Sequence, residues 1–246
     1  MHTTGKEAGE AYEKLAQVQT KLDSKHDTAT AFVEGAKAFQ KVDHRRAVHC
    51  LQRAVALYTD MGRLGMAARQ IREVAEILER EGGKEEALVF YDQAADLFAT
   101  DNSTAEANKC LLKVAEFSAE AEKYAKAIDI YEAIARKCAE NNLLRFSTKG
   151  HLLHAAICSL CLSGPGPTAE RLQRYKEIDI NFDGSRECNL LESVVEAMEN
   201  GDSEAFTNAV AEYDSLTRLD AFKTSLLLRA KRKISEPPTG EEEDLT

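Results

Sequence analysis

Apolar residues recur at helical spacing along nearly the whole chain, and the clearest instance lies at residues 105–136. There Cys110, Leu111, Val114 and Ala115 share one side of a 3.6-residue helix, while Lys109 and Lys113, four apart, share another that should face water. Glu120-Ala-Glu-Lys123 breaks the pattern, and a second stripe follows through Ala127, Ile128, Tyr131, Ile134 and Ala135. Two such short helices cannot bury their stripes against each other alone, so the hairpin requires neighbours.

The chain supplies them. A first helix is expected over about 5–22, with Ala8, Ala11, Tyr12, Leu15 and Val18 as its apolar stripe, and a second over 28–39. Residues 44–60 carry a stripe through Ala47, Cys50, Leu51, Ala54, Leu57 and Tyr58, stopped at Met61-Gly-Arg63. A further pair covers 65–80 and 84–99, split by Glu81-Gly-Gly83. The patterning then predicts helices over 145–162, 168–177, 186–199, 203–213 and 217–234. Ser163-Gly-Pro-Gly-Pro167 reads as a loop, and Asp202 or Ser203 as an N-cap. Hairpins recurring every 37 to 44 residues signal a helical-repeat array. The expected fold is all-α: a right-handed, TPR-like α-solenoid of helical hairpins over residues 5–178, a C-terminal helical bundle over 179–235, and a short acidic tail over 236–246.

Composition narrows this picture. Four prolines and thirteen glycines in 246 residues suit an all-helical protein. The six cysteines lack the spacing of a disulfide framework and read as buried thiols. With neither a secretory signal nor a membrane-spanning run, the expectation is a cytosolic protein.

Charge adds sidedness. The net charge of −10 argues against non-specific nucleic-acid binding, yet Arg69, Lys109 and Lys149 fall forty residues apart. Equivalent positions of successive repeats share a face, so these three form a row, with Arg72, Lys113 and Arg145 one helical turn away. Chance alignment of surface cations is one account. The functional account is a groove for an elongated acidic partner, and the absence of interleaved aromatics favours a protein over a nucleic acid.

No phosphate loop, dinucleotide turn or metalloprotease helix occurs, and neither a catalytic site nor a cofactor site is found. His151, His154, Cys158 and Cys161 fall on one helical face with zinc-ligand types. Spread along roughly 15 Å of one helix they cannot close one tetrahedron, so they read as core rather than metal ligands. At the C-terminus, Glu241, Glu242, Glu243 and Asp244 precede Leu245. They form either a solubilising tail or a short linear motif in which acids steer and the leucine anchors.

Several stretches together resemble one family. They are Ser24-Lys-His-Asp27, Tyr58-Thr-Asp-Met-Gly-Arg63, Asn108-Lys-Cys-Leu-Leu-Lys-Val-Ala115, Lys126-Ala-Ile-Asp-Ile-Tyr-Glu132, Ser185-Arg-Glu-Cys188, Glu212-Tyr-Asp-Ser215, Arg218-Leu-Asp220 and Glu242-Glu-Asp-Leu245. In this order they resemble the soluble NSF attachment proteins, in the alpha/beta branch. The resemblance implies a non-enzymatic adaptor that binds the acidic side of a syntaxin-type SNARE bundle. It also implies recruitment and stimulation of the hexameric ATPase NSF for SNARE disassembly in vesicle transport, with the adaptor cytoplasmic and peripheral on membranes through SNARE complexes.

By motif it assigns SNARE contact to Arg69, Lys109, Lys113, Lys149 and Arg186, with Arg63 a further candidate, and ATPase stimulation to Leu245 and its acidic neighbours Glu241 to Asp244. Family members begin with about one more hairpin carrying an apolar, membrane-dipping loop, whereas residues 1–7 here match nothing in that reading. Membrane contact is therefore expected to be indirect or weakened. A generic helical-repeat scaffold for another acidic protein is the alternative.

Overall fold

A computed structural model describes residues 2–235. Among them are twelve α-helices, one 3-10 turn and no strand. The chain forms two compact units, one up to Phe117 and one from Ser118 onward.

The first unit holds α1 (His2–Lys21), α2 (Lys25–Phe39), α3 (His44–Asp60), α4 (Leu64–Arg80), α5 (Lys84–Thr100) and most of α6 (Thr104–Glu120). From α1 to α5, each helix packs on the next in sequence. The seams are lined by small residues such as Ala29, Ala36, Ala47, Ala54, Ala67, Ala75, Ala87 and Ala94, with Phe39, Tyr58, Tyr91 and Phe98 as the bulky fill, all buried. Alanine lets two helices approach closely, and the aromatics fill the space that close approach leaves.

A single turn recurs along the chain. Helices α3, α4, α5 and α6, and then α7 (Tyr124–Glu140), each have 17 residues and begin at 44, 64, 84, 104 and 124. Three residues separate each pair, and the middle one is left-handed: Gly62, Gly82, Asn102 and Glu122 have φ of 68°, 85°, 59° and 61°. The next N–H reaches back across the turn, as in Arg63 N to Tyr58 O (2.8 Å), Gly83 N to Leu78 O (2.9 Å), Ser103 N to Phe98 O (2.8 Å) and Lys123 N to Ser118 O (2.8 Å). This is the Schellman arrangement, which satisfies carbonyls a helix end would otherwise orphan.

The expected stripe of α1 is not the buried one. Gly9 and Ala16 are buried, and Tyr12 is partly so. Ala8 and Ala11 are exposed, and Leu15 and Val18 are 43% and 52% exposed. The helix seats its smallest residues in the seam: a Cβ on Gly9 would stand 2.5 Å from the Phe39 ring, so the larger apolar groups are turned outward.

The second unit comprises the end of α6, then α7, a 3-10 turn (Arg145–Ser147), α8 (Thr148–Ser163), α9 (Pro165–Ile178), α10 (Arg186–Glu199), α11 (Ser203–Leu216) and α12 (Ala221–Ser235). Helix α8 packs against α7, α9, α10 and α12. It was expected to bury one face. Instead Leu152, Leu153 and every residue from Ala155 to Cys161 are buried, as befits a helix apolar all round.

Three boundaries also differ from expectation. The 145–162 helix opens as the 3-10 turn. The Ser163–Pro167 loop is no loop, because Gly164 at φ 80° ends α8 and Pro165 starts α9, where a missing N–H costs nothing. The last helix starts at Ala221, because the Asp220 carboxylate accepts the Lys223 N–H (2.8 Å).

Helix α12 is tied to its unit by Arg229, whose Nη1 donates to Ala119 O (3.3 Å), Glu120 O (3.1 Å) and Tyr124 Oη (3.3 Å). A cation thereby caps the carbonyl end of α6. Glu132 of α7 accepts from Arg171 and from Tyr175 Oη (2.7 Å) of α9.

His154 is mostly buried, its ring stacked on Tyr131 (centroids 5.0 Å apart) and Phe222 (5.8 Å), with Nδ1 2.7 Å from Gly150 O. Burial, with some help from Lys223, lowers its pKa to about 4. The folded protein thus prefers the neutral ring, and the unfolded chain, near 6.5, binds the proton better.

Two outcomes follow. With no atom within 4 Å of its added Cβ, Gly82→Ala should lose about 1–2 kcal/mol from left-handed strain alone, whereas Glu122→Gly should gain a fraction of that; denaturant titration reads both. His154's contribution to stability should be whole above about pH 6.5 and fall as pH drops toward 4. Relative to His154→Phe, the wild type should lose up to about 1.4 kcal/mol per pH unit in that window, and parallel stability curves for the two would contradict it.

Candidate functional site

In the first unit, the 20-residue module places Arg69 and Lys109 at the same position of α4 and α6, the sixth residue of each. Both are exposed, Lys109 to 67% at its side chain. Lys113 follows one turn along α6 and is more enclosed. Its ammonium lies 2.8 Å from Glu79 Oε1 and 3.4 Å from Glu116 Oε2, and 5.5 Å from the centroid of the Phe117 ring. These carboxylates outweigh burial and raise the Lys113 pKa, so it stays charged. Arg63 is exposed in the turn before α4. Among the described residues, neither Arg63 nor Arg69 forms an ion pair.

Two carboxylates organise this surface. Glu79 on α4 takes Lys113 and the Tyr91 hydroxyl (2.6 Å), and Glu106 on α6 takes Arg72 of α4 and Lys109 Nζ (2.7 Å). Both ties between α4 and α6 join residues 34 apart, so the two helices run side by side in one direction. Arg72 also reaches Glu76 (3.4 Å) and lies 5.6 Å from the Phe98 ring centroid. The cations were legible in the sequence, but Glu79 and Glu106 were missed. Acids 34 residues from a basic position would have signalled them.

In the second unit, Lys149 is the second residue of α8, partly exposed and without an ion pair among the described residues. Arg186 opens α10, capped by Ser185, and its Nη1 lies 3.3 Å from Thr217 Oγ1. It lines a cavity of about 170 Å³ between α10 and α11 with Asn189, Leu190, Ser193, Ala209, Glu212, Tyr213 and Leu216. Lys149 and Arg186 share no partner. Glu241, Glu242, Glu243, Asp244 and Leu245 lie outside the described residues.

Of the zinc-type residues on α8, the two cysteines take up core positions, while His151 and His154 are less completely covered. Cys158 and Cys161 are buried, and burial pushes their thiols up to about 12 and about 11. Cys161 Sγ donates to Leu226 O (3.2 Å), holding α12 against α8. A different trio, Asp183, Cys188 and Glu192, brings three possible ligand atoms within 4.8 Å of one another. The Lys176 ammonium sits 3.0 Å from Asp183 and 2.8 Å from Glu192, so the acids already have their counter-ion.

The family model "Soluble NSF attachment protein, SNAP" matches residues 1–235, which brings the first seven residues inside the likeness. The "Alpha-soluble NSF attachment protein" of Vitis vinifera is 43% identical over 97% of this chain and 82% of its own length. That of Mus musculus is also 43% identical, over 97% and 79%. The "Probable vesicular-fusion protein sec17 homolog" of Schizosaccharomyces pombe is 35% identical over 98% of this chain and 83% of its own. With these relatives and the family match spanning its helical hairpins, the chain belongs to the soluble NSF attachment protein family.

Proposed function

We propose that this chain is the adaptor that binds an assembled SNARE complex and presents it to the NSF ATPase for disassembly during vesicle fusion cycles. Family membership carries the reading, and the surface chemistry supports it. An acidic protein displays solvent-facing cations at repeated positions, which suits an elongated acidic partner. The contact residues in this reading are Arg69, Lys109, Lys113, Lys149 and Arg186, with Arg63 beside them.

The chain acts as a coupling element without catalysing a reaction itself. Its acidic C-terminal residues and Leu245 stimulate the ATPase. Among the described residues no helix is long and apolar enough to cross a membrane, and in this reading the chain is cytoplasmic and meets membranes through the SNARE complex.

Lys109 is the cleaner probe, since Lys113 also ties α6 to α4. Lys109→Glu combined with Lys149→Glu should weaken co-sedimentation with the SNARE complex by roughly tenfold or more. The wild-type complex should itself weaken as salt rises. Binding that ignores both salt and the charge reversals would overturn the reading. Removing Leu245 should leave SNARE binding intact and abolish stimulation of NSF; retained stimulation would exclude that leucine as the trigger.

A further inference from the structure

Resting on the reading above, we propose that Glu106 is a specificity-determining residue of the SNARE-facing surface. It competes internally for Lys109, a contact residue in that reading, and for Arg72 beside the same row.

The geometry makes the competition direct. Glu106 divides its two carboxylate oxygens, Oε1 to Lys109 Nζ (2.7 Å) and Oε2 to Arg72 Nη1. The carboxylate is 34% exposed, so it stands at the same surface as Lys109 and not beneath it. Its hydrogen bonds to Lys109 and Arg72 hold its pKa below the usual carboxylate value, so it is charged at neutral pH. The trio therefore carries one net positive charge where two cations stand, and Glu76, 3.4 Å from Arg72, offsets it further.

A partner with isolated acids gains little by displacing a carboxylate that already satisfies both. One with closely spaced acids can supply an oxygen to each cation and leave Glu106 to water. Lys113 differs, because its counter-ion Glu79 is also held by the Tyr91 hydroxyl, and Lys113 itself spans the two helices whereas Lys109 pairs within α6.

Charge accounting gives the test, with an assembled SNARE complex as the probe and affinity measured at several salt concentrations. Glu106→Gln keeps the shape and an acceptor oxygen but adds one unit of net positive charge. It should bind roughly three- to tenfold more tightly and depend more steeply on salt. Arg72→Gln leaves Glu106 to neutralise Lys109 and should bind more weakly by a similar factor, and the double substitution should return close to the wild type.

If Glu106 were merely a strut between α4 and α6, Glu106→Gln would bind equally or less well, which would overturn the proposal. Should that variant melt early, Arg72→Gln decides alone, and unchanged or tighter binding there also overturns it. Where Lys109→Glu weakens binding and Glu106→Gln does not strengthen it, this inference fails and the adaptor reading stands. Where none of the three changes anything, the assigned surface itself is wrong.

Discussion

The left-handed residue in the middle of each three-residue turn is the constraint on which the repeated part of the chain depends. It returns the chain at once after each 17-residue helix, and the N–H that follows closes back onto the helix it has left. Successive helices therefore start 20 residues apart from α3 to α7, and from α3 to α5 an alanine seam in one helix packs on the next. The same interval puts Arg69 and Lys109 at one helical position, so surface chemistry is repeated by a device that acts purely on backbone. Glycine fills the critical place twice, at 62 and 82. Asn102 and Glu122 hold the same conformation at some cost, which the surrounding packing offsets.

Much of this was legible in the residues. The predicted bounds of α3 and α10 match the observed ones, where Asp43 and Ser185 cap the starts and Gly62 and Gly201 follow the ends. The failures share a cause. Periodicity reports which residues are apolar but not which face finds a neighbour. In α1 the seam chose Gly9 and Ala16, and in α8 there was no exposed face to choose. Pro165 misled because proline ends a helix from inside yet starts one at its first turn, and only the backbone at Gly164 decides which.

For the site, spacing in the sequence finds cations and misses what neutralises them. Lys109 and Lys113 look alike as two lysines one turn apart. In the folded unit one meets water beside a shared carboxylate, and the other braces α6 against α4. That difference arises from which acids α4 and α6 bring together, a tertiary fact with no local signature. It also means that charge reversal at the two positions would perturb different things, recognition at one and packing at the other.

The all-round burial of α8 has a consequence for how that helix is set. A helix with a single apolar stripe is oriented by hydrophobicity, since turning it would expose the stripe. Helix α8 gains little from that guidance, because most of its circumference from Leu152 to Cys161 is apolar and covered. Its few polar atoms supply the rotational key instead: Ser159 accepts from Thr168 of α9 (2.8 Å), Cys161 donates to α12, and His154 is sandwiched between two rings. These groups work as locating pins in a joint whose greased surfaces would otherwise fit at several angles.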